Sequence, residues 1–293
     1  MQQRTIGNAT VGTVPVSAIG LGAMPLSTKD DRPSPEDAER TIHAALDAGV
    51  TLIDTADAYA RDESEMGHNE ELIARALKSY PGDADSVLVA TKGGHTRSGT
   101  DWELDGSPAY LRRACTESLK RLGVEAIGLY QLHRPDPATP WEESMGGLKA
   151  LHDDGLVRMV GISNASIPQI DAAREILGDA LVSVQNQFSP GWHSSWDELR
   201  HCASVGLAWL PWSPFGGVSS AGSLDAAAPE FAAVASELGV SVYQVTLAWH
   251  LAQADVVIPI PGASRPESIL DSAAATHVQL SPDQLHRLDA SLS

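Results

Sequence analysis

Residues 51–60 read Thr-Leu-Ile-Asp-Thr-Ala-Asp-Ala-Tyr-Ala. An apolar Leu52-Ile53 pair runs into Asp54, and Tyr59 follows five positions later. This spells a short buried strand ending in a carboxylate, then a turn that brings a phenol back over the strand end. Alone, an Asp there commonly serves the turn by bonding nearby backbone N–H groups. The stretch gains chemical meaning only if neighbouring strands end in complementary groups. Helical periodicity near 35–48 and near 68–79 flanks it, so it is the strand of a β/α unit.

The same unit repeats in both directions. Upstream, Gly7-Asn8 and Gly12-Thr13 punctuate a β-hairpin in the first 17 residues, followed by a strand over Ala18–Leu21. Downstream, strands are predicted at Ser86–Thr91, Ile127–Leu132, Leu156–Gly161, Leu181–Gln185, Leu207–Trp212 and Val256–Pro259. Helices are predicted near 107–122, 140–153, 166–177, 193–205, 226–238, 241–253 and 266–275, with a short last one over Ser281–Leu292. Ser34-Pro35, Ser107-Pro108 and Thr139-Pro140 each offer a hydroxyl N-cap with proline at the first helical position. Glu142 and Gln169 complete capping boxes with Thr139 and Ser166, and Gly49, Gly123, Gly155 and Gly178 sit where helices end.

Eight short apolar strands alternating with helices predict an α/β fold with parallel strands, as an open doubly wound sheet or a closed barrel. The count of eight favours a (β/α)8 barrel of the TIM type preceded by a hairpin, in one domain spanning 1–293. Such a barrel carries its active site at the C-terminal ends of the strands.

Composition narrows the function classes. The chain has 293 residues, 43% hydrophobic and 20% charged, with a formal charge of -18. That charge disfavours nucleic acid and anionic membrane as partners. The N-terminus carries no secretory apolar run and no stretch is long enough to span a membrane, so a cytoplasmic location is expected. Cys115 and Cys202 fit reduced packing thiols. No histidine shows metal-ligand spacing, so no metal is expected.

The strand ends hold Gly22-Ala23, Asp54 with Tyr59, Lys92, His133, Ser163-Asn164, Gln185-Asn186 and Trp212-Ser213. Four of these have a joint logic. A phenol is a poor acid at neutrality, and a nearby ammonium lowers its pKa. Lys92 supplies the ammonium, Asp54 keeps it charged inside the barrel mouth, and a neutral His133 donates to a substrate oxygen beside Tyr59. The Gly20-Leu21-Gly22 run lacks the third glycine of a Rossmann fingerprint because Pro25 occupies its place, and no tyrosine has lysine four positions on.

The sequence resembles the aldo-keto reductase superfamily. The likeness is carried by IGLGAMPL (19–26), TLIDTADAYA (51–60), VLVATKGG (87–94), IGLYQLHRPDP (127–137), VRMVGISNAS (157–166), VSVQNQFSP (182–190), LPWSPFGG (210–217) and VVIPIPGASRPESI (256–269). It implies reversible hydride transfer from NADPH, with NADH as an alternative, to a small aldehyde or ketone. By the likeness Tyr59 is the general acid/base, Lys92 its neighbour, Asp54 the partner of Lys92 and His133 the orienter of the carbonyl. Ser163, Asn164 and Gln185 would bond the nicotinamide carboxamide, and Trp212, where tyrosine is more frequent, would stack on its ring. Gly22, Ala23 and Asp54 would border the cofactor, and Ser213, Phe215 and Gly216 would approach its pyrophosphate. Gly262, Ser264, Arg265, Ser268 and Ser272 would surround the adenosine end, with Arg265 at a helix N-terminus suited to the 2'-phosphate. Ser268 and Ser272 depart from the Arg or Gln and the Asn usual there, which narrows the margin of NADPH over NADH. Ala60 also stands where glycine is common.

The loops near 24–34, 93–106 and 213–225 are expected to shape an open pocket. The last of these either folds over the dinucleotide or is a plain connector, and Trp102 is either a substrate-loop aromatic or a loop anchor. Two rival functions accompany the reductase. One is a nucleotide-sensing regulatory subunit, similar to potassium-channel β subunits, with little turnover. The other is a barrel isomerase or aldolase using Lys92 as a Schiff base.

Overall fold

The structure, a computed structural model, describes residues 1–217 and 221–292. Strands β1 (Gln3–Asn8) and β2 (Gly12–Ser17) form the expected antiparallel hairpin, with Gly7 and Gly12 at positive φ in its turn. The α/β succession then runs β3 (Leu21–Gly22), α1 (Pro35–Asp47), β4 (Leu52–Asp54), α2 (His68–Ser79), β5 (Leu88–Gly93), the strands β6 (His95–Ser98) and β7 (Asp101–Leu104), and α3 (Pro108–Leu122). It continues with β8 (Ile127–Leu132), α4 (Trp141–Asp153), β9 (Val157–Ser163), α5 (Ile167–Leu177), β10 (Leu181–Gln185), α6 (Trp196–Val205) and β11 (Ala208–Trp209). Helices α7 (Leu224–Ala227), α8 (Pro229–Leu238), α9 (Val242–Gln253), α10 (Pro266–Ala274) and α11 (Pro282–Ala290) complete the chain.

Seven strands make one curled parallel sheet in the order β11-β10-β9-β8-β5-β4-β3. The predicted eighth strand is not a regular strand. Residues 256–262 instead touch both edges of the sheet through the isolated bridges Trp209↔Val257 and Gly22↔Gly262. Pro259 and Pro261 explain the difference, because proline has no N–H for a ladder. What remains is divided between the two edges. Ile258 N–H donates to Trp209 O at 2.8 Å, while Pro259 O and Pro261 O accept from Gly20 and Gly22 at 2.9 Å each. The predicted strands Ala18–Leu21 and Leu207–Trp212 likewise shrink to the two-residue β3 and β11.

Strand alternation divides the core. Leu52, Ala90, Leu129, Met159, Val182, Ala208, Leu210, Ile258 and Ile260 pack together inside the curl, joined by Ile6 and Val16 from the hairpin. Ile53, Tyr130, Val160 and Val184 pack instead with buried residues of the surrounding helices. The inward positions nearest the C-terminal strand ends are polar: Asp54, Lys92, Gln131 and Gln185 are all buried. The fold thus concentrates its polar interior at one end.

Helix starts follow the sequence closely, with one exception. Ser34 and Ser107 accept from the N–H groups of Asp37 and Tyr110, and Ser166 with Gln169 forms a full capping box. Thr139 does not cap α4. Its hydroxyl donates to Asp136 Oδ2 at 2.8 Å, and the N-cap position is Pro140. The β6-β7 hairpin was not expected. Its residues HTRSGTDWEL lack regular apolar alternation, and neither strand is buried.

Candidate active site

Four side chains predicted from three strand ends meet at one point. Lys92 Nζ donates to Asp54 Oδ1 at 2.6 Å, to Thr55 O at 2.8 Å and to the Tyr59 hydroxyl oxygen at 3.1 Å. All three donors of the ammonium are therefore directed. Register explains the meeting: β4 pairs with β5 through Asp54↔Ala90, so Lys92 lies beyond Asp54 on the adjacent strand and points the same way. His133 follows β8 directly, and its ring stands 5.5 Å from that of Tyr59, edge to face. Gly93 O anchors the His133 N–H at 2.9 Å, and Asn164 Nδ2 donates to the His133 carbonyl at 3.0 Å.

The charges are set by burial and by neighbours. Burial alone pulls the Lys92 pKa down, but Asp54 and Tyr59 outweigh it and raise it above the usual lysine value, so Lys92 is an ammonium at neutral pH. For Tyr59 burial raises the phenol's pKa, Lys92 pulls it down, and Asp54 and Asp57 push it up again. The net direction is upward, the reverse of what an adjacent ammonium alone predicts. Tyr59 is thus a neutral proton donor at pH 7. His133 is held well below its ordinary value, first by burial and then by Lys92, His95 and Arg134, and is neutral. Its Nδ1 is buried with no hydrogen-bond partner. Placing the ring proton on Nε2 avoids a buried N–H donor without an acceptor, which would cost about 1–3 kcal/mol.

The groups that support Asp54 were not foreseen in that role, although Gln185 is expected at the nicotinamide. Gln185 Nε2 and Gln131 Nε2 both donate to Asp54 Oδ2, at 2.8 and 3.3 Å, so the carboxylate is held from two further strands. Behind them, Glu70 accepts from Thr91 Oγ1 at 2.5 Å and Arg121 Nε at 2.7 Å, and Asn69 joins Ala23 O to Ser27. Glu70 and Asn69 sit in the first turn of α2, where the sequence offers only the ordinary appearance of a helix start.

A cavity of about 440 Å³ opens over this cluster. Asp54, Tyr59 and His133 line it with His95, Trp102 and Arg134, and it extends past Ser163, Asn164, Gln185 and Trp212 to Ser213, Phe215, Gly22, Gly262, Ser264 and Ser268. Lys92 is buried without lining it, and four of the residues expected at the cofactor also lie outside its wall. Ala23 is buried, Gly216 turns back to donate its N–H to Ser213 O, Ser272 is buried on α10, and Arg265 is exposed with Nε on Ser268 Oγ at 3.0 Å. Of the loop 213–225, expected either to fold over the dinucleotide or to be a plain connector, residues 218–220 lie outside the described residues.

The donor set suits a nicotinamide dinucleotide. Asn164 and Ser213 take positive φ, which turns the chain sharply at the cavity wall. Asn164 Nδ2 is engaged by Ser163 Oγ at 2.9 Å as well as by His133 O, which leaves its carbonyl oxygen for a carboxamide N–H. Trp212 offers an aromatic face, and the start of α10, where Pro266 has no N–H and Ser268 N–H turns to Arg265 O, lies at the far end. Gly262 has to be small, since a Cβ there would stand 2.9 Å from Pro25 Cγ.

Comparison with known proteins points to one family. The family model described as Aldo/keto reductase family matches residues 18–293. An uncharacterized oxidoreductase of Schizosaccharomyces pombe is 33% identical over 97% of the chain and 89% of its own length. A 6-dehydroglucose reductase of Novosphingobium aromaticivorans is 35% identical over 94% of the chain and 90% of its own length. Among solved structures, the glycerol dehydrogenase of Gluconobacter oxydans superposes with a TM-score of 0.84 at 30% identity, covering 99% of this chain and 94% of its own. A thermostable aldo-keto reductase in complex with the inhibitor epalrestat gives 0.82 at 26%, covering 99% and 100%. The chain belongs to the aldo/keto reductase family and is an NAD(P)H-dependent oxidoreductase.

Proposed function

We propose that this chain reversibly reduces the carbonyl of a small aldehyde or ketone with NADPH, and that Tyr59 carries the proton. The observation that bears the most weight is the Lys92 ammonium held between Asp54 Oδ1 and the Tyr59 hydroxyl at 2.6 and 3.1 Å. Because the phenol oxygen accepts from Lys92, its own O–H is left to face the cavity. The cofactor, when bound, supplies a hydride to the carbonyl carbon. Tyr59 gives its proton to the oxygen as charge grows there, and Lys92 stabilises the phenolate left behind. His133 holds the same oxygen through Nε2–H. In the oxidative direction the phenolate takes the proton back.

In this reading Ser163, Asn164, Gln185 and Trp212 hold the nicotinamide, and the 262–268 segment receives the adenosine phosphates. Arg265 is exposed and among the described residues its side chain bonds only Ser268, so its guanidinium is available to the 2'-phosphate that separates NADPH from NADH. The bonds from 256–262 to both sheet edges support treating that segment as the eighth stave of a closed barrel, with the whole chain as one domain.

Tyr59→Phe tests the assignment. We expect a loss of at least about a hundredfold in NADPH oxidation with a panel of small aldehydes, the scale of general-acid catalysis, while NADPH still quenches tryptophan fluorescence. A variant that kept most of the wild-type turnover would overturn Tyr59 as the acid. A wild-type protein that bound NADPH and turned over nothing would instead favour a sensor.

A further inference from the structure

The cavity contains a second imidazole. His95 begins β6, in the hairpin that replaces the loop predicted over 93–106, and its ring meets that of His133 edge to face at 4.4 Å. It also stands 5.3 Å from the Trp102 ring. Resting on the carbonyl-reductase reading above, we propose that His95 determines substrate choice by accepting a hydrogen bond from a hydroxyl next to the carbonyl. The preferred substrate is then a hydroxylated aldehyde or ketone.

The tautomer carries the argument. His95 Nδ1 lies 3.1 Å from Glu103 O, across the β6-β7 ladder. A carbonyl oxygen only accepts, so the ring proton resides on Nδ1. Burial, together with Arg134, Lys92 and Arg97, holds the imidazole below its ordinary pKa despite the Glu103 contact, so it carries no second proton at neutral pH. Nε2 is therefore a bare acceptor. It has no hydrogen-bond partner among the described residues, it is not among the atoms shut off from solvent, and its ring lines the cavity.

The groups around it are of the opposite kind. Tyr59 and His133 present donors, and Arg134 on the same wall forms no ion pair among the described residues. A plain alkyl aldehyde would leave the His95 lone pair facing apolar carbon. A substrate hydroxyl satisfies it, with its own oxygen lone pairs open to Arg134. Trp102 is 43% exposed on the rim, backed by the Arg97 guanidinium 4.1 Å from its ring, and offers a flat surface to the C–H face of a short polyol chain.

The experiment compares lactaldehyde, 2-methoxypropanal and propanal with NADPH. Methylation removes the hydroxyl proton and keeps the oxygen as an acceptor while adding one carbon, so a loss of preference in H95F, which leaves that added bulk in place, isolates the acceptor on the protein. We expect wild-type kcat/KM to favour lactaldehyde over 2-methoxypropanal by about tenfold or more, as for a lost hydrogen bond to a partly open site. H95F keeps a ring against Trp102 and His133 but removes both nitrogens, and should bring that ratio within about twofold of one. H95Q retains a carbonyl able to accept and should keep an intermediate ratio. NADPH titration by fluorescence confirms that each variant is folded. A wild-type ratio near one, or an undiminished ratio in H95F, overturns the role of His95. If propanal and lactaldehyde both fail with wild type, the reductase reading fails instead.

Discussion

Asp57 lies three residues beyond Asp54 and has no part in the proposed proton transfer. It is buried, it accepts from Tyr110 at 3.1 Å, and its other oxygen has no partner among the described residues. Burial, reinforced by Glu70, pushes its carboxyl from 3.8 to about 8. Since the folded pKa exceeds the unfolded one, the fold favours the protonated acid. Stability therefore declines as pH rises from about 4 to 8 and levels off above that. Between pH 5 and pH 9 the loss from this group is on the order of 4 kcal/mol. Urea midpoints at the two pH values should show it, and Asp57→Asn should remove most of that difference. An equally steep pH dependence in the variant would mean that another group is responsible. Asp57 lies in the turn beyond the apolar run that marks Asp54, and nothing in the sequence shows that its carboxyl is buried. Asp54, Lys92 and His133 were legible because each ends an apolar run on a neighbouring strand. Gln131, Glu70 and His95 were not, because their roles depend on partners 21 to 77 positions away or on an unrecognised hairpin.

At the scale of elements, the helices were legible through period and caps, and each short strand was legible by place but, for β3 and β11, not by its ends. Three strands of the curled sheet have only two or three residues, too few for an alternation pattern to declare an end. They persist because their backbone groups are taken up by neighbours rather than by their own length. The tightest of these places is the seam between β3 and the 256–262 segment. Gly22 N–H donates to Pro261 O at 2.9 Å, and a Cβ on Gly22 would stand 2.7 Å from Ile260 O, a backbone atom that cannot rotate away. Gly22→Ala must therefore push the two segments apart. Overpacking of this kind costs about 1–3 kcal/mol, and here it acts at the cavity wall. The urea midpoint should fall, and NADPH affinity should weaken at least about tenfold, the equivalent of 1.4 kcal/mol. Unchanged affinity in a destabilised variant would detach the seam from the cofactor site.

For the whole molecule, 38 acidic against 20 basic side chains leave a charge of -18, and the sequence pI is about 4.8. Many of the basic groups are already spent in short surface pairs such as Arg112–Asp154 and Lys120–Glu117. Such exposed pairs contribute about 0–1 kcal/mol each, and salt weakens them. Salt also screens the repulsion among the excess carboxylates, which acts over the whole surface within a Debye length of about 10 Å at 0.1 M. The two effects oppose each other. The pairs lose a little each, while the repulsion grows with the square of the net charge, so screening of the repulsion should prevail at high pH. Raising sodium chloride from about 0.02 to about 0.2 M, a range over which the Debye length contracts severalfold, should raise the urea midpoint at pH 8. Near the pI the net charge vanishes, and the same addition should leave the midpoint level or lower it through the pairs. A fall at pH 8 would show that local pairing, rather than the summed charge, governs the electrostatic stability of this fold.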